Sequence, residues 1–529
     1  MSDSDRKARP RVAIVGAGIA GISTAIALRK QLHYDDFTIY EKATAVGGTW
    51  RDNTYPGCGS DIPGHWYSLS TENNPYWTSY YVKQPEIRAY WEGLFQKYSL
   101  GKNTEFNTLF QSAEWDDEAQ RYEIVLQDTA TKEKRHTTAE VVIYAIGGFM
   151  DPVFPKDVPG KENFQGLVWH SARWRHDVSL EGKRVGVIGN GASAAQLVPE
   201  ISSDSSVQVI NFCRTPQWYV PQGNYSYPKW IQWIFAHVPF VLRCYRSMIM
   251  ARSDISFLIF RKSNERLLAL TRKQMTSYIV KNAPKDQLDK LIPDYPPGCK
   301  RILVDPDYLK ALHRPNLSLK WDAIDSIIEN GIKLKTGEIV PLDVIIFGTG
   351  YSLEPADFHI RGSRGTTIKE YFDSKGGPNA YLGAAAPGFP NTFILLGPNV
   401  ASGHASVIFS EEAQIQLVLR MIKPIIDGRV KSVEIKDSVT DEYNEWLQNR
   451  LETSVWSDCN SYYHVAGTKK SKIVATFPGP VALFWWLTKR TSWEDWNVVG
   501  EGGFKEGRFG IGGVVVASIM ASVAWFLFK

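Results

Sequence analysis

Short apolar runs that break off into glycine punctuate this chain. Val12-Ala13-Ile14-Val15 enters Gly16-Ala17-Gly18-Ile19-Ala20-Gly21, and Val185-Gly186-Val187-Ile188 enters Gly189-Asn190-Gly191-Ala192-Ser193-Ala194. Each predicts a strand, a tight turn and a helix start. Phe37-Thr38-Ile39-Tyr40 closes at Glu41, and Val207 to Cys213 closes at Arg214. Tyr122 to Leu126 and Glu140 to Ile146 predict further strands, while Asp151 to Pro159, with three prolines, predicts a crossing linker. From about Pro221 to Pro297 the pattern changes to aromatic-rich helical segments containing Trp230, Trp233, Phe235 and Phe240. That stretch is too long for a loop and predicts a helical insertion. Ile332 to Val340 predicts a hairpin around Thr336-Gly337. Val344 to Phe347 then enters Gly348-Thr349-Gly350-Tyr351, a strand-to-glycine turn read as the return of the chain to its first domain.

The ends of the second strands differ in charge, and that difference assigns ligands. A glycine turn at a helix start offers backbone N–H groups and a helix dipole to a pyrophosphate. Glu41 lies twenty residues past the first turn and Arg214 twenty past the second. A carboxylate there hydrogen-bonds ribose hydroxyls, whereas a guanidinium pairs with a 2′-phosphate. The expected cofactors are FAD in the first site and NADPH in the second, with electrons passing between them. The bland alternative makes the glycines serve strand-helix packing and Arg214 a solvated charge; the strand, helix and terminal residue around each turn weigh against it. Ala194 stands in the third glycine position, where alanine is permitted.

The fold class expected is therefore α/β, with two Rossmann-like domains, one inserted in the other. FAD-binding segments cover 11–155 and 341–500, and the NADPH-binding domain covers 156–340, including the insertion at 221–297. A chain of 529 residues exceeds one core and accommodates this. The formal charge of +4, with no basic stripe interleaved with aromatics, argues against nucleic acid. Five scattered cysteines without C-x-x-C suggest neither zinc nor a redox dithiol, and suit a reducing compartment. Met1 to Pro10 is polar, so no secretory signal peptide is expected. Phe509 to Phe528 is an uncharged run of twenty residues behind Lys505 and Arg508. It predicts a transmembrane tail anchor that holds the protein on a membrane with its catalytic body facing the cytosol. Trp485, Trp486, Trp493 and Trp496 fit either a headgroup-level belt or buried core aromatics.

Phe164-Gln165-Gly166-Leu167-Val168-Trp169-His170-Ser171-Ala172-Arg173-Trp174 has the form F-x-G-x-x-x-H-x-x-x-W. It resembles the fingerprint of Baeyer–Villiger monooxygenases, a branch of the class B flavoprotein monooxygenases. Gly47-Gly48-Thr49-Trp50, Tyr55-Pro56-Gly57 with Asp61, Cys299-Lys300-Arg301, Phe347 to Tyr351, and Gly388 to Asn399 are similar to the same class, in family order. Two positions depart from the pattern. Arg175 follows Trp174 where the fingerprint favours Pro or Asp, and Cys459-Asn460-Ser461-Tyr462-Tyr463 looks more like fungal secondary-metabolite members.

The resemblance implies that NADPH reduces FAD, that oxygen adds at flavin C4a, and that the resulting peroxide attacks a ketone. Arg301 matches the family's catalytic arginine and Asp61 the carboxylate that holds it; the bland readings are a phosphate contact beside Lys300 and a turn initiator. Gly48, Thr49, Trp50, Asp61 and Tyr67 are flavin-site candidates beside Gly16, Gly18, Ala20, Gly21 and Glu41. Gly189, Gly191, Ala192, Ser193, Arg214, Thr215 and Lys300 are the NADPH-site candidates, and His170 is a hinge or linker residue. No metal site is expected. The reaction implied is insertion of one O2 oxygen into a bulky apolar ketone, giving an ester or lactone in secondary metabolism. A hydroxylating or N/S-oxygenating flavin enzyme and an NADPH-dependent flavin reductase remain alternatives.

Overall fold

The computed structural model describes residues 9–352 and 359–500. Val12–Val15 is the central strand of a five-stranded parallel sheet ordered Thr392–Ile394, Val141–Tyr144, Val12–Val15, Phe37–Tyr40, Thr104–Glu105. All its residues are buried because both sheet faces are covered. Val12 and Ile14 pack into the core that includes helices Ile19–Leu32 and Val407–Ile426. Ala13 and Val15 pack against an antiparallel meander of Thr108–Asp116, Arg121–Asp128 and Lys134–Ala139.

The second sheet is also parallel, ordered Leu317–Lys320, Gln208–Phe212, Arg184–Ile188, Val344–Phe347, Leu167–His170. Here one expectation is corrected. Val344–Phe347 does not return to the first sheet but lies inside the second, with Phe347 opposite both Ile188 and His170. An unbroken apolar strand ending in glycine suits the middle of either parallel sheet, so the pattern alone does not choose between them. The chain re-enters the first body later, where Ile360–Arg361 pairs with Thr108–Asp116 and Thr392–Ile394 closes the first sheet.

The stretch after Pro221 is helical, with Lys229–His237, Val241–Ile255 and Glu265–Asn282 as its main helices. It is clamped to the first body. The His65 ring lies 5.0 Å from Tyr227, 4.9 Å from Phe235 and 5.4 Å from Tyr245, and Arg246 donates to the carbonyls of His65 and Ser68. Burial in that aromatic nest pushes His65 down to about 3.

The expected C-terminal transmembrane helix is also corrected. Among the described residues no helix is long and apolar enough to cross a membrane, and 509–528 lies outside them. The longest described helix, Val407–Ile426, carries Glu411, Glu412, Arg420 and Lys423 and packs in the core. The tail anchor, the membrane as partner and the membrane localisation are withdrawn together. Trp496 belongs to the core, packed on Phe393 and Tyr381. The cysteines differ from expectation too: Cys299 and Cys459 form a disulfide across 160 positions, whereas Cys58, Cys213 and Cys244 are free thiols. Two cysteines that meet only through tertiary folding leave no spacing signal in the chain.

Glu411 is buried with 0% exposure, and the Ser23 hydroxyl offers its carboxylate only partial relief. Burial pushes its carboxyl up to about 8 from an ordinary value of 4.5. The folded protein therefore keeps this proton after the unfolded chain has lost it. The resulting destabilisation is absent below the unfolded value and grows as pH rises toward the folded one. Glu411→Gln should raise the melting temperature at pH 8 while leaving it nearly unchanged at pH 4.5, a gain on the order of 4 kcal/mol at the higher pH. Calorimetry at both pH values checks this; parallel curves for the two proteins would contradict it.

Candidate active site

The first glycine turn is built so that side chains cannot enter it. Gly16 has φ +103°, and a Cβ on Gly21 would lie 1.9 Å from the Gly16 carbonyl oxygen. Helix Ile19–Leu32 starts at Gly18 with no side-chain cap and no acidic residue in its first turn, so its leading amides face an anion site. Ala20 is buried just behind. Gly48, at φ +50°, brings a second turn against the first, where a Cβ would sit 3.0 Å from Gly18 Cα. Thr49 opens the short helix Thr49–Asp52, and the buried Trp50 donates its indole N–H to the Tyr67 hydroxyl at 3.3 Å. Glu41 does more than the sequence implied. Its carboxylate accepts from the amides of Ala17 at 2.8 Å and Ala43 at 2.9 Å, and from Arg51 at 3.1 Å. It braces the turn through the Ala17 amide.

The second turn repeats the design in the other body. Gly189 has φ +108°, and a Cβ there would meet the Gly348 carbonyl oxygen at 2.5 Å. A Cβ on Gly191, by contrast, would meet nothing within 4 Å. Gly191 leads into helix Ala192–Ile201 without a side-chain cap. Ser193 in its first turn faces Tyr55 of the first body at 3.4 Å, and Tyr55 donates to Gln196 at 2.9 Å. Tyr55 thus ties the first body to the helix that follows the second turn. Asn190 donates to the Thr215 carbonyl at 2.8 Å and fixes the segment that carries Arg214.

Arg214 is 86% exposed, with Asp157 at 3.6 Å. Lys300 lies over the Tyr295 ring at 5.0 Å. Burial and the nearby Arg214 push its amine below the usual lysine range, with Asp294 acting the other way. Two cations held near each other at the end of a glycine-turn strand fit a phosphate, and the cradle of glycines fits a dinucleotide.

Next in sequence, Arg301 reaches back to the first body. Its Nε and Nη2 both donate to Asp61 Oδ2, at 3.1 and 2.6 Å, and its Nη1 donates to the Ser402 carbonyl at 3.4 Å. Asp61 raises its already high pKa. The two side chains are 25% and 29% exposed, so the charge is held firmly yet open to a ligand. The sequence reading missed Ser402, a loop residue with no motif to mark it. His170 is buried; its Nδ1 accepts from the Ala172 amide at 3.1 Å, and burial pushes it down to about 4. It sits at the end of strand Leu167–His170, against Phe154 and Tyr351, where the linker and the second sheet meet. Arg175 pairs with Asp177 at the surface, so this departure from the fingerprint is absorbed locally.

Comparison with known proteins gives a consistent result. Residues 9–359 match the family described as FMO-like, flavin-binding monooxygenase-like. A protein of Pseudomonas aeruginosa named Baeyer-Villiger monooxygenase is 39% identical over 458 residues, covering 86% of this chain and 85% of its own. An Aspergillus niger protein named FAD-binding monooxygenase ktnD is 31% identical over 537 residues, covering 98% and 87%. The crystal structure of cyclohexanone monooxygenase from Rhodococcus sp. Phi1 bound to NADP+ superposes with a TM-score of 0.82 at 24% identity, covering 93% of this chain and 99% of that one.

Gly191→Ala adds a methyl where the protein offers open space, so any loss reports the missing ligand contact and not a damaged fold. It should keep FAD and weaken NADPH binding at least tenfold, read by titration of the flavin absorbance. Gly21→Ala should instead yield protein with little FAD. Unchanged NADPH affinity in Gly191→Ala would contradict the second site.

Proposed function

The chain belongs to the flavin-binding monooxygenase-like family, and we propose that it carries out Baeyer–Villiger oxidation of a bulky apolar ketone to an ester or lactone. It is an FAD- and NADPH-dependent monooxygenase. FAD is assigned to the body that begins with residues 11–155 and resumes after Val344–Phe347, and NADPH to the body between. When bound, the flavin supplies activation of O2 with electrons from NADPH. The chain's own residues bind, orient and stabilise. Gly16, Gly18 and Gly21 with the amides of helix Ile19–Leu32 hold the FAD pyrophosphate, with Glu41 toward its ribose. Gly48, Thr49, Trp50 and Tyr67 line the same cofactor. Gly189, Gly191, Ala192 and Ser193 hold the nicotinamide dinucleotide, and Arg214, Thr215 and Lys300 clamp its 2′-phosphate.

The observation that carries the reading is the Arg301–Asp61 pair. Oxygen insertion next to a carbonyl places negative charge on the former carbonyl oxygen, and a fixed guanidinium stabilises that charge where it develops. Asp61 keeps the guanidinium in place. Phe257, Phe260 and Trp456 form a buried aromatic cluster behind the Ser402 loop, packed on His404 and Gly403. The likeness of Cys459 to Tyr463 to fungal members supports a role in secondary metabolism. No observation of the site favours the heteroatom-oxygenating reading.

Arg301→Ala should bind FAD and accept hydride normally, yet lose oxygenated product at least a hundredfold across a panel of cyclic and long-chain ketones, measured by mass spectrometry. Retained product would demote Arg301 to a binding residue. Arg214→Asp replaces phosphate pairing with repulsion. It should raise the KM for NADPH at least thirtyfold while changing that for NADH less than threefold. Equal losses would contradict the clamp.

A further inference from the structure

Arg301 is held unevenly. Two of its donors converge on a single oxygen of Asp61, which acts as a pivot, and the remaining contact is the Ser402 carbonyl at 3.4 Å. The direction of the guanidinium plane therefore depends on where that carbonyl sits. Ser402 is buried, and its hydroxyl accepts the His404 backbone N–H at 3.3 Å and lies 2.7 Å from His404 Nδ1. His404 Nε2 faces Asp254 Oδ1 at 3.3 Å. An ionised carboxylate can only accept, so in the neutral ring Nε2 carries the proton and Nδ1 accepts the Ser402 hydroxyl. Asp254 closes helix Val241–Ile255 of the insertion and also accepts from the Val481 amide at 2.7 Å and the Ala482 amide at 3.1 Å. The imidazole lies against Phe257 and Phe260, at 5.5 and 5.8 Å.

Resting on the oxygenase reading of Arg301, we propose that Ser402, His404 and Asp254 form a buried positioning chain that aims Arg301 and ties its aim to the helical insertion. A polar chain of this kind is a poor way to gain stability, because desolvating a carboxylate and an imidazole costs more than packing apolar side chains of the same volume. What it supplies is direction. Each link has a single donor-acceptor sense, running from Ser402 to His404 to Asp254, and the chain starts at the residue whose carbonyl takes the Arg301 hydrogen bond. His404 never touches substrate or cofactor in this role. It acts through Ser402 alone. Burial and the nearby Arg301 charge keep its imidazole neutral against the pull of Asp254.

The test uses the FAD-loaded enzyme with the best ketone of the panel. His404→Phe keeps the ring volume and removes both polar contacts. His404→Asn keeps an acceptor where Nδ1 stood. His404→Phe should keep FAD content and anaerobic flavin reduction by NADPH within twofold of wild type. Its product per NADPH consumed should fall at least tenfold, with hydrogen peroxide released instead. His404→Asn should recover at least a third of the lost coupling. Histidine-selective 15N labelling of the wild type should show His404 as a neutral Nε2–H tautomer at pH 7.5. Wild-type coupling in His404→Phe, parallel loss of reduction and oxygenation, equal failure of the two variants, or an Nδ1–H or imidazolium signal would each overturn the proposal. Absence of oxygenated product from the wild type would instead sink the ketone reading, and the tautomer would still decide whether the chain is oriented as described.

Discussion

Arg301 and Asp61 come from different bodies, 240 positions apart in sequence, and meet at 2.6 Å. At about a quarter exposed, such a pair contributes about 0–1 kcal/mol to stability. Burying any one of the large aromatics nearby contributes more. The pair is therefore costly to assemble and weak as a fastener. Its value is positional: it fixes a permanent positive charge, a quarter exposed, where the two bodies meet.

The arrangement of that junction depends on one short segment. Between Gly47 and Asp61 the first body touches every station in turn. Gly48 packs on the Gly18 turn, Tyr55 reaches helix Ala192–Ile201, and a Cβ on Gly57 would lie 2.3 Å from the Gln196 carbonyl. Asp61 then takes Arg301. A shift of this segment would move both glycine turns and the guanidinium together, so cofactor spacing and charge placement are mechanically one property. The disulfide from Cys299 to Cys459 ties the segment before Arg301 to the later part of the chain, and the insertion is clamped around His65. Lys300 and Arg301 are neighbours in the chain, so the roles proposed for them, phosphate clamp and oxygen-stabilising charge, would sit on one strut.

Much of this was legible in the residues because glycine turns, strand ends and charge sign are local signals. Gly16 to Gly21 with Glu41, and Gly189 to Ala194 with Arg214, each fit within a βαβ unit, and the sheets form around them as the apolar runs require. What the chain concealed is non-local. Val344–Phe347 is apolar on both faces, so its pattern suits the middle of either sheet. Cys299 and Cys459, and the set Asp254, Ser402 and His404, come together only in the folded molecule. Glu41 was read as a ribose ligand alone, because its bonds to the Ala17 and Ala43 amides are invisible before the loop is built. The uncharged run at 509–528 lies outside the described residues, none of whose helices is long and apolar enough to cross a membrane.

The most direct test of the account follows the oxygen. The FAD-loaded protein, given NADPH, a bulky ketone and 18O2, should return an ester or lactone heavier by one labelled oxygen, with the carbonyl oxygen unlabelled. The same product made in 18O-labelled water under ordinary O2 should carry no label in the inserted position. NADPH consumption that yields only hydrogen peroxide across the ketone panel, or an inserted oxygen that comes from water, would contradict it.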